Sequence, residues 1–240
     1  MNKVMLITGA AQRMGAYLAQ AAHADGYNIV MHYRHSAKQT QVLQSMLNNI
    51  RSNSCISVQA DFNQGDEFQD IIQAIESSFN RLDVLVNNAS EFFSTTINNL
   101  SSNDYDKLFN SNVKGPLFLS KACYPLLVKS KGTIINLVDI HAEKPLKNYP
   151  VYSMAKAANN MMVKALAKEF APEVRVNGIS PGYIQDPVDG EDVNLKINNR
   201  IALNKKGENN NIYQTLQFLI QNDYVTGQTI QVDGGRSLNM

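Results

Sequence analysis

The chain has 240 residues, enough for one large α/β domain with a substantial core. Its 44% hydrophobic and 18% charged content are those of an ordinary globular protein, and a formal net charge of +1 gives no long-range reason to expect nucleic acid or an anionic membrane as partner. Cys55 and Cys123 lie far apart without metal-like spacing, which excludes a disulfide framework and reads as two reduced thiols.

Met1-Asn2-Lys3 runs directly into an apolar strand without signal-peptide architecture, and no apolar run approaches the ~20 residues that span a bilayer, so a cytoplasmic chain is expected. Short apolar runs at 4–8, 28–33, 55–59, 84–87, 133–138, 174–180 and 229–232 predict strands. Amphipathic stretches at 14–25, 37–51, 64–80, 102–130, 152–170 and 210–221 predict helices. This alternation predicts βαβ units and hence a single-domain Rossmann fold over 1–240, a doubly wound parallel β-sheet flanked by helices. Residues 184–211 interrupt the pattern after Pro181-Gly182; rich in Asn, Asp, Glu and Lys, they predict a long, mobile surface excursion serving as a substrate lid.

The first strand delivers Thr8-Gly9-Ala10-Ala11-Gln12-Arg13-Met14-Gly15 into the first helix. Gly9 permits a tight turn, Gly15 permits close packing at the helix start, and the N–H groups there face a pyrophosphate. The dinucleotide fingerprint is only partly met, because Arg13 stands where a third glycine is expected. After the second strand, His32-Tyr33-Arg34-His35-Ser36 carries no carboxylate of the kind that holds the ribose 2′-hydroxyl of NAD. Arg34 and Ser36, with Arg13 approaching from the glycine turn, suit a 2′-phosphate and favour NADPH; solvated basic residues at a strand end are the alternative. Asp61 is placed to accept a hydrogen bond from an adenine amino group, or else is an exposed turn residue. Asn87-Asn88-Ala89-Ser90 ends the fourth strand at the edge where a doubly wound sheet binds its ligand. Tyr152 and Lys156, four apart, share one helical face, and an ammonium beside a phenol is expected to pull the phenol's pKa down toward the range of a general acid.

Together these motifs resemble the short-chain dehydrogenase/reductase family. The matching residues are the glycine turn, Asp61, Asn87-Asn88-Ala89, Asn112 in Asn112-Val113-Lys114-Gly115, Tyr152 with Lys156, Pro181-Gly182, and Thr226-Gly227 followed by Asp233-Gly234-Gly235, in the family's order along essentially the whole chain. The resemblance implies a homotetrameric NAD(P)-dependent oxidoreductase. In it Tyr152 is the acid/base, Lys156 binds the nicotinamide ribose while lowering the tyrosine pKa, and Asn112 holds a water in a proton relay. The cofactor contacts it implies are Gly9, Arg13, Met14 and Gly15 in the first turn, then Tyr33, Arg34, His35 and Ser36, and then Asp61 and Phe62. Asn88, Ala89 and Ser90 follow, with Lys156, Pro181 and Gly182 beyond them.

One position departs from the family pattern: Asp139 stands where a Ser is usual. A carboxyl beside Tyr152 can share or relay a proton as a hydroxyl cannot, and can bind a protonated or amino-bearing heterocycle; an incidental change in a degenerate enzyme is the alternative. Asp139, the arginine in the glycine turn and Tyr33-Arg34-His35-Ser36 together look like the pteridine reductases, with the bacterial dihydromonapterin reductases that have side dihydrofolate reductase activity as the nearest likeness. By that likeness Phe92 stacks on a pterin or folate, Ser90 is a polar contact to cofactor or pterin, and Asp139 and Tyr152 touch the substrate; plain core packing is the alternative for Phe92, with Phe93 an equal candidate for the outward ring. The implied activity is NADPH-dependent reduction of a dihydropteridine. A reductase of a 3-oxoacyl thioester or sugar ketone is the rival within the fold, and a silent NADP(H)-binding regulator is the rival outside it. A carboxylate beside a neutral ketone has no obvious role, and a binding module has no need of Tyr152, Lys156 and Asn112.

Overall fold

The computed structural model describes residues 2–63, 68–186 and 200–240. Strands β1 (Val4–Thr8), β2 (Asn28–Tyr33), β3 (Cys55–Gln59), β4 (Val84–Asn87), β5 (Thr133–Leu137), β6 (Arg175–Pro181) and β7 (Thr229–Val232) form one parallel sheet in the order β3-β2-β1-β4-β5-β6-β7. Helices α1 (Arg13–Ala24), α2 (Ala37–Ile50), α3 (Phe68–Ser78), α4 (Ser102–Phe109), α5 (Gly115–Ser130), α6 (Pro150–Phe170) and α7 (Asn209–Gln221) flank it. β1 is buried at every position because it is covered on both faces. Met5 and Ile7 pack with α1, α2 and α7, while Val4 and Leu6 pack with α3, α5 and α6. The strand order turns back between β1 and β4, which opens a crevice at their carboxyl ends. Among the described residues, no helix is long and apolar enough to cross a membrane.

Most strand and helix positions agree with the sequence pattern to within a residue or two at the ends. The stretch 102–130 does not form one helix: α4 and α5 are joined by a π-helical turn at Asn110–Lys114. Pro116 has no N–H to offer the carbonyl of Asn112, and the Gly115 N–H reaches back five residues to Asn110 O instead. Of the predicted helix 64–80, residues 64–67 lie outside the described residues. So do 187–199 of the predicted lid. Its described flanks are fastened rather than free: Ile184 and Ile201 are buried, Gly207 N–H donates to Tyr183 O at 3.0 Å, and Leu203 N–H donates to Gly234 O at 3.0 Å.

His32, to which the sequence pattern assigns no role, links three parts of the crevice wall. Its Nδ1 accepts from the Gly9 N–H at 3.3 Å, so the proton sits on Nε2, which donates to Ala60 O at 3.0 Å. The ring stacks on Phe62 with centroids 4.5 Å apart. Burial outweighs the Ala60 carbonyl and the Asp61 charge and pushes its pKa down from 6.5 to about 4. The unfolded chain therefore takes up a proton below pH 6.5 while the folded chain does not until about pH 4, and stability falls across that window by about 3 kcal/mol. In urea unfolding between pH 7 and pH 4.5, the protein should lose roughly 2–3 kcal/mol more than His32→Asn; parallel pH profiles would contradict the assignment.

Candidate active site

The turn after β1 is built by glycines and closed by the end of β4. Gly9 has φ +63°, and a methyl on Gly15 would lie 2.2 Å from Gly9 O, so neither position admits a side chain without rearrangement. Asn88 Nδ2 donates to Thr8 O at 2.8 Å and Gly9 O at 3.2 Å, while Thr8 Oγ1 accepts from the N–H groups of Asn88 and Ala89, both at 2.9 Å. Arg13 keeps the backbone of the glycine it replaces, with φ 53°, a conformation that costs an arginine on the order of 1 kcal/mol. Its guanidinium does not turn toward Ser36, as expected from sequence; it donates to Gln185 Oε1 at 3.0 Å and Asp186 O at 2.8 Å. Gln12 is the residue that reaches Ser36, at 3.3 Å. Met14 packs partly buried against the core. The start of α1 has no side-chain cap and no acid in its first turn, which leaves its N–H donors suited to a phosphate group.

At the end of β2, Tyr33 and Arg34 are half-buried, His35 is exposed, and Ser36 precedes α2 without a side-chain cap. Arg34 does not point to open solvent: it donates to the Glu91 carboxylate and lies 3.9 Å from Asp61 Oδ1. Asp61 Oδ1 also accepts from the N–H and Nδ2 of Asn63, closing a turn. A cavity of about 590 Å3 opens here, lined by Arg34, His35, Asp61, Glu91, Asp106 and Lys107 among others. Phe62 does not present its ring to this cavity. At 7% exposure it is core, stacked on His32 and pressed against Gly115, so only its backbone remains for a ligand. Pro181 and Gly182 end β6 against β7, with Gly182 N–H donating to Val232 O at 3.0 Å.

Asp139, Tyr152 and Lys156 meet where β5, α6 and the π-helical turn converge. Asp139 Oδ1 accepts from the His141 N–H at 2.8 Å, and Oδ2 accepts from the Tyr152 hydroxyl at 2.7 Å. Lys156 lies one turn along α6, its Nζ donating to Leu137 O at 3.0 Å and standing 5.7 Å from the Tyr152 ring centroid. The expected depression of the phenol pKa is reversed. Burial and then the Asp139 carboxylate hold Tyr152 well above its ordinary value, with only Ser90 opposing. Lys156 is lowered to about 8 by burial, against the pull of Asp139. At neutral pH the site therefore holds a neutral phenol and an ammonium.

Ser90 Oγ donates to Asn112 Oδ1 at 2.7 Å, and Asn112 Nδ2 donates to Glu91 O at 3.1 Å and Leu108 O at 3.0 Å. The Asn112 carbonyl, left without a helical donor, accepts from Asn159 Nδ2 at 2.7 Å. Asn136 Nδ2 in turn donates to Asn159 Oδ1 at 3.1 Å, and Asn87 Nδ2 to Asn136 Oδ1 at 2.8 Å. Asn136 and Asn159 are absent from the sequence-derived set; polar amides within apolar β5 and three residues beyond Lys156 on α6 are the signal that marks them. Phe92, not Phe93, faces outward. It is 54% exposed, stacked on Tyr149 at 4.6 Å and edge-on to Tyr152 at 4.8 Å, while Phe93 packs with Leu108 and Val151. Tyr149 is a second aromatic missed in the sequence.

A family model described as Enoyl-(Acyl carrier protein) reductase matches residues 9–237. The chain is 34% identical to Pteridine reductase 1 of Leishmania tarentolae, over 98% of this chain and 96% of that protein. It is 32% identical to a 3-oxoacyl-(acyl-carrier-protein) reductase of Synechocystis sp., over 97% and 96% of the two chains. It is also 29% identical to the enzyme of that name from Staphylococcus epidermidis, over 98% and 99%.

Replacing Asn159 by Leu would strand the Asn112 carbonyl and the Asn136 amide in the interior. Asn159→Leu should cost about 2–4 kcal/mol in denaturant unfolding; a loss under about 0.5 kcal/mol would show that the amide ladder carries no energetic weight.

Proposed function

This chain belongs to the short-chain dehydrogenase/reductase family and is an oxidoreductase of that fold, and on that premise we propose that it reduces a dihydropteridine (dihydromonapterin, dihydrobiopterin or dihydrofolate) to the tetrahydro form with NADPH. The observation that carries this reading is the 2.7 Å hydrogen bond from Tyr152 to the Asp139 carboxylate, directly beside the outward ring of Phe92. The similarity to a pteridine reductase supports it.

The glycine turn and the uncapped start of α1 fit a pyrophosphate. Arg34, with Tyr33, His35 and Ser36, would hold a 2′-phosphorylated ribose, and Asp61 the adenine. Asn88, Ala89, Ser90 and Lys156 would hold the nicotinamide end, with Pro181 and Gly182 at its border. When bound, NADPH supplies the hydride. Tyr152 keeps its proton at working pH because burial and Asp139 disfavour the phenolate, so it acts as the acid. Its hydroxyl turns from Asp139 to the ring nitrogen next to the carbon being reduced, and the Lys156 ammonium stabilises the phenolate left behind. Asp139 also accepts N–H groups of an amino-bearing ring, which orients that nitrogen toward Tyr152. Phe92, backed by Tyr149, offers a flat face for stacking.

A second reading, reduction of a 3-oxoacyl thioester, is favoured by the matches to two enzymes of that name at similar coverage. Asp139 distinguishes the two, because a carboxylate repels the developing oxyanion of a ketone. The proposal includes a cytoplasmic homotetramer, supported by exposed Leu117 and Phe118 on α5 and Met154 and Met161 on α6.

With NADPH, purified protein should turn over a dihydropteridine at least about tenfold faster than an acetoacetyl thioester, in kcat/KM; the opposite ranking selects the second reading. Tyr152→Phe should lose more than about a hundredfold in kcat while NADPH affinity by fluorescence titration changes less than about twofold. Substantial remaining turnover would refute the role of Tyr152 as the acid.

A further inference from the structure

The carboxylate missing from the end of β2 is supplied from another strand. Glu91, in the segment that follows β4, accepts a hydrogen bond from Arg34, which follows β2. β2 and β4 lie on either side of β1, about 10 Å apart at the usual strand spacing, so this ion pair spans the carboxyl end of the strand that carries the glycine turn. It is not a solvated surface pair: the Arg34 side chain is 35% exposed and Glu91 and Asp61 are each 18% exposed. Asp61 stands 3.9 Å from the same guanidinium nitrogen, and Asn63 Nδ2 lies 3.5 Å from Glu91 Oε1. One cation is thus compensated by two carboxylates.

The Glu91 backbone is clamped, its N–H on Ser111 Oγ at 3.2 Å and its carbonyl on Asn112 Nδ2 at 3.1 Å, so only its side chain can give way. We infer that Glu91 is a specificity residue that masks Arg34: a cofactor bearing a 2′-phosphate must displace the Glu91 carboxylate from the guanidinium, whereas one bearing a 2′-hydroxyl need not. Glu91 thereby weakens binding of NADPH selectively and narrows the preference that Arg34 creates. This rests on the reading of Arg34 as the phosphate contact.

The test is fluorescence or calorimetric titration of NADPH and NADH, without substrate, into the protein, Glu91→Gln, Arg34→Ala and the double variant. Glu91→Gln should bind NADPH about fivefold or more tighter and NADH less than about twofold tighter, and its effect should fall below about twofold when Arg34 is Ala. Equal gains for both cofactors, a loss of NADPH affinity in Glu91→Gln, or a gain that persists without Arg34 would overturn the inference. Arg34→Ala alone separates the two levels. If it weakens NADPH and NADH equally, the NADPH reading fails and the inference falls with it. If it weakens NADPH selectively while Glu91→Gln changes nothing, only the masking role is lost.

Discussion

The glycine turn, Ser90 and Glu91 take their positions from the way the end of β1 is locked to the end of β4. The Thr8 hydroxyl accepts two backbone N–H groups from the β4 side, and Asn88 donates back to two carbonyls on the β1 side. With Gly15 pressed against Gly9 O, this joint leaves no room for adjustment. Ser90 and Glu91 emerge from it in fixed register, Ser90 toward Asn112 and Glu91 toward Arg34. One joint therefore places a side chain toward each end of the crevice, Ser90 toward Tyr152 and Glu91 toward the cavity beside Arg34.

The electrostatics of the proton-handling end follow from burial before they follow from charge. Tyr152 and Lys156 are both removed from water, and desolvation is the first cause of both shifts, upward for the acid and downward for the base. Asp139 then acts on both in the same direction, favouring the protonated phenol and the protonated amine. A serine at that position would remove the carboxylate's pull from both groups, leaving burial on each and Ser90 opposing it on Tyr152. The carboxylate therefore reinforces burial at Tyr152 and opposes it at Lys156.

Much of this was legible in the chain. Continuous apolar strands alternating with amphipathic helices dictated the sheet, and Tyr152, Lys156, Asp139 and Asn112 converge although they come from three separate elements. What escaped was tertiary. The apolar pattern of 102–130 runs unbroken through the π-helical turn, and Pro116 is its single local sign. The direction of the phenol shift depends on the burial of Tyr152 and on its hydrogen bond to Asp139, which no spacing rule contains. The family resemblance counts Phe62 among the cofactor contacts, yet its ring fills the space beside Gly115. Arg13 and Arg34 were identified by charge, but their partners Gln185, Asp186 and Glu91 lie far along the chain.

The wide turn at Asn110–Lys114 also has a meaning for insertions and deletions. Each residue of an α-helix advances its side chains by about 100°. The extra residue held in that turn therefore fixes the rotational phase of all of α5, whose Leu119, Cys123, Leu126 and Leu127 face the sheet. Deleting one residue there would turn α5 by about 100° and swing those four side chains away from the core. The acceptor carbonyl and the packing of a sixteen-residue helix thus share one unit of chain length.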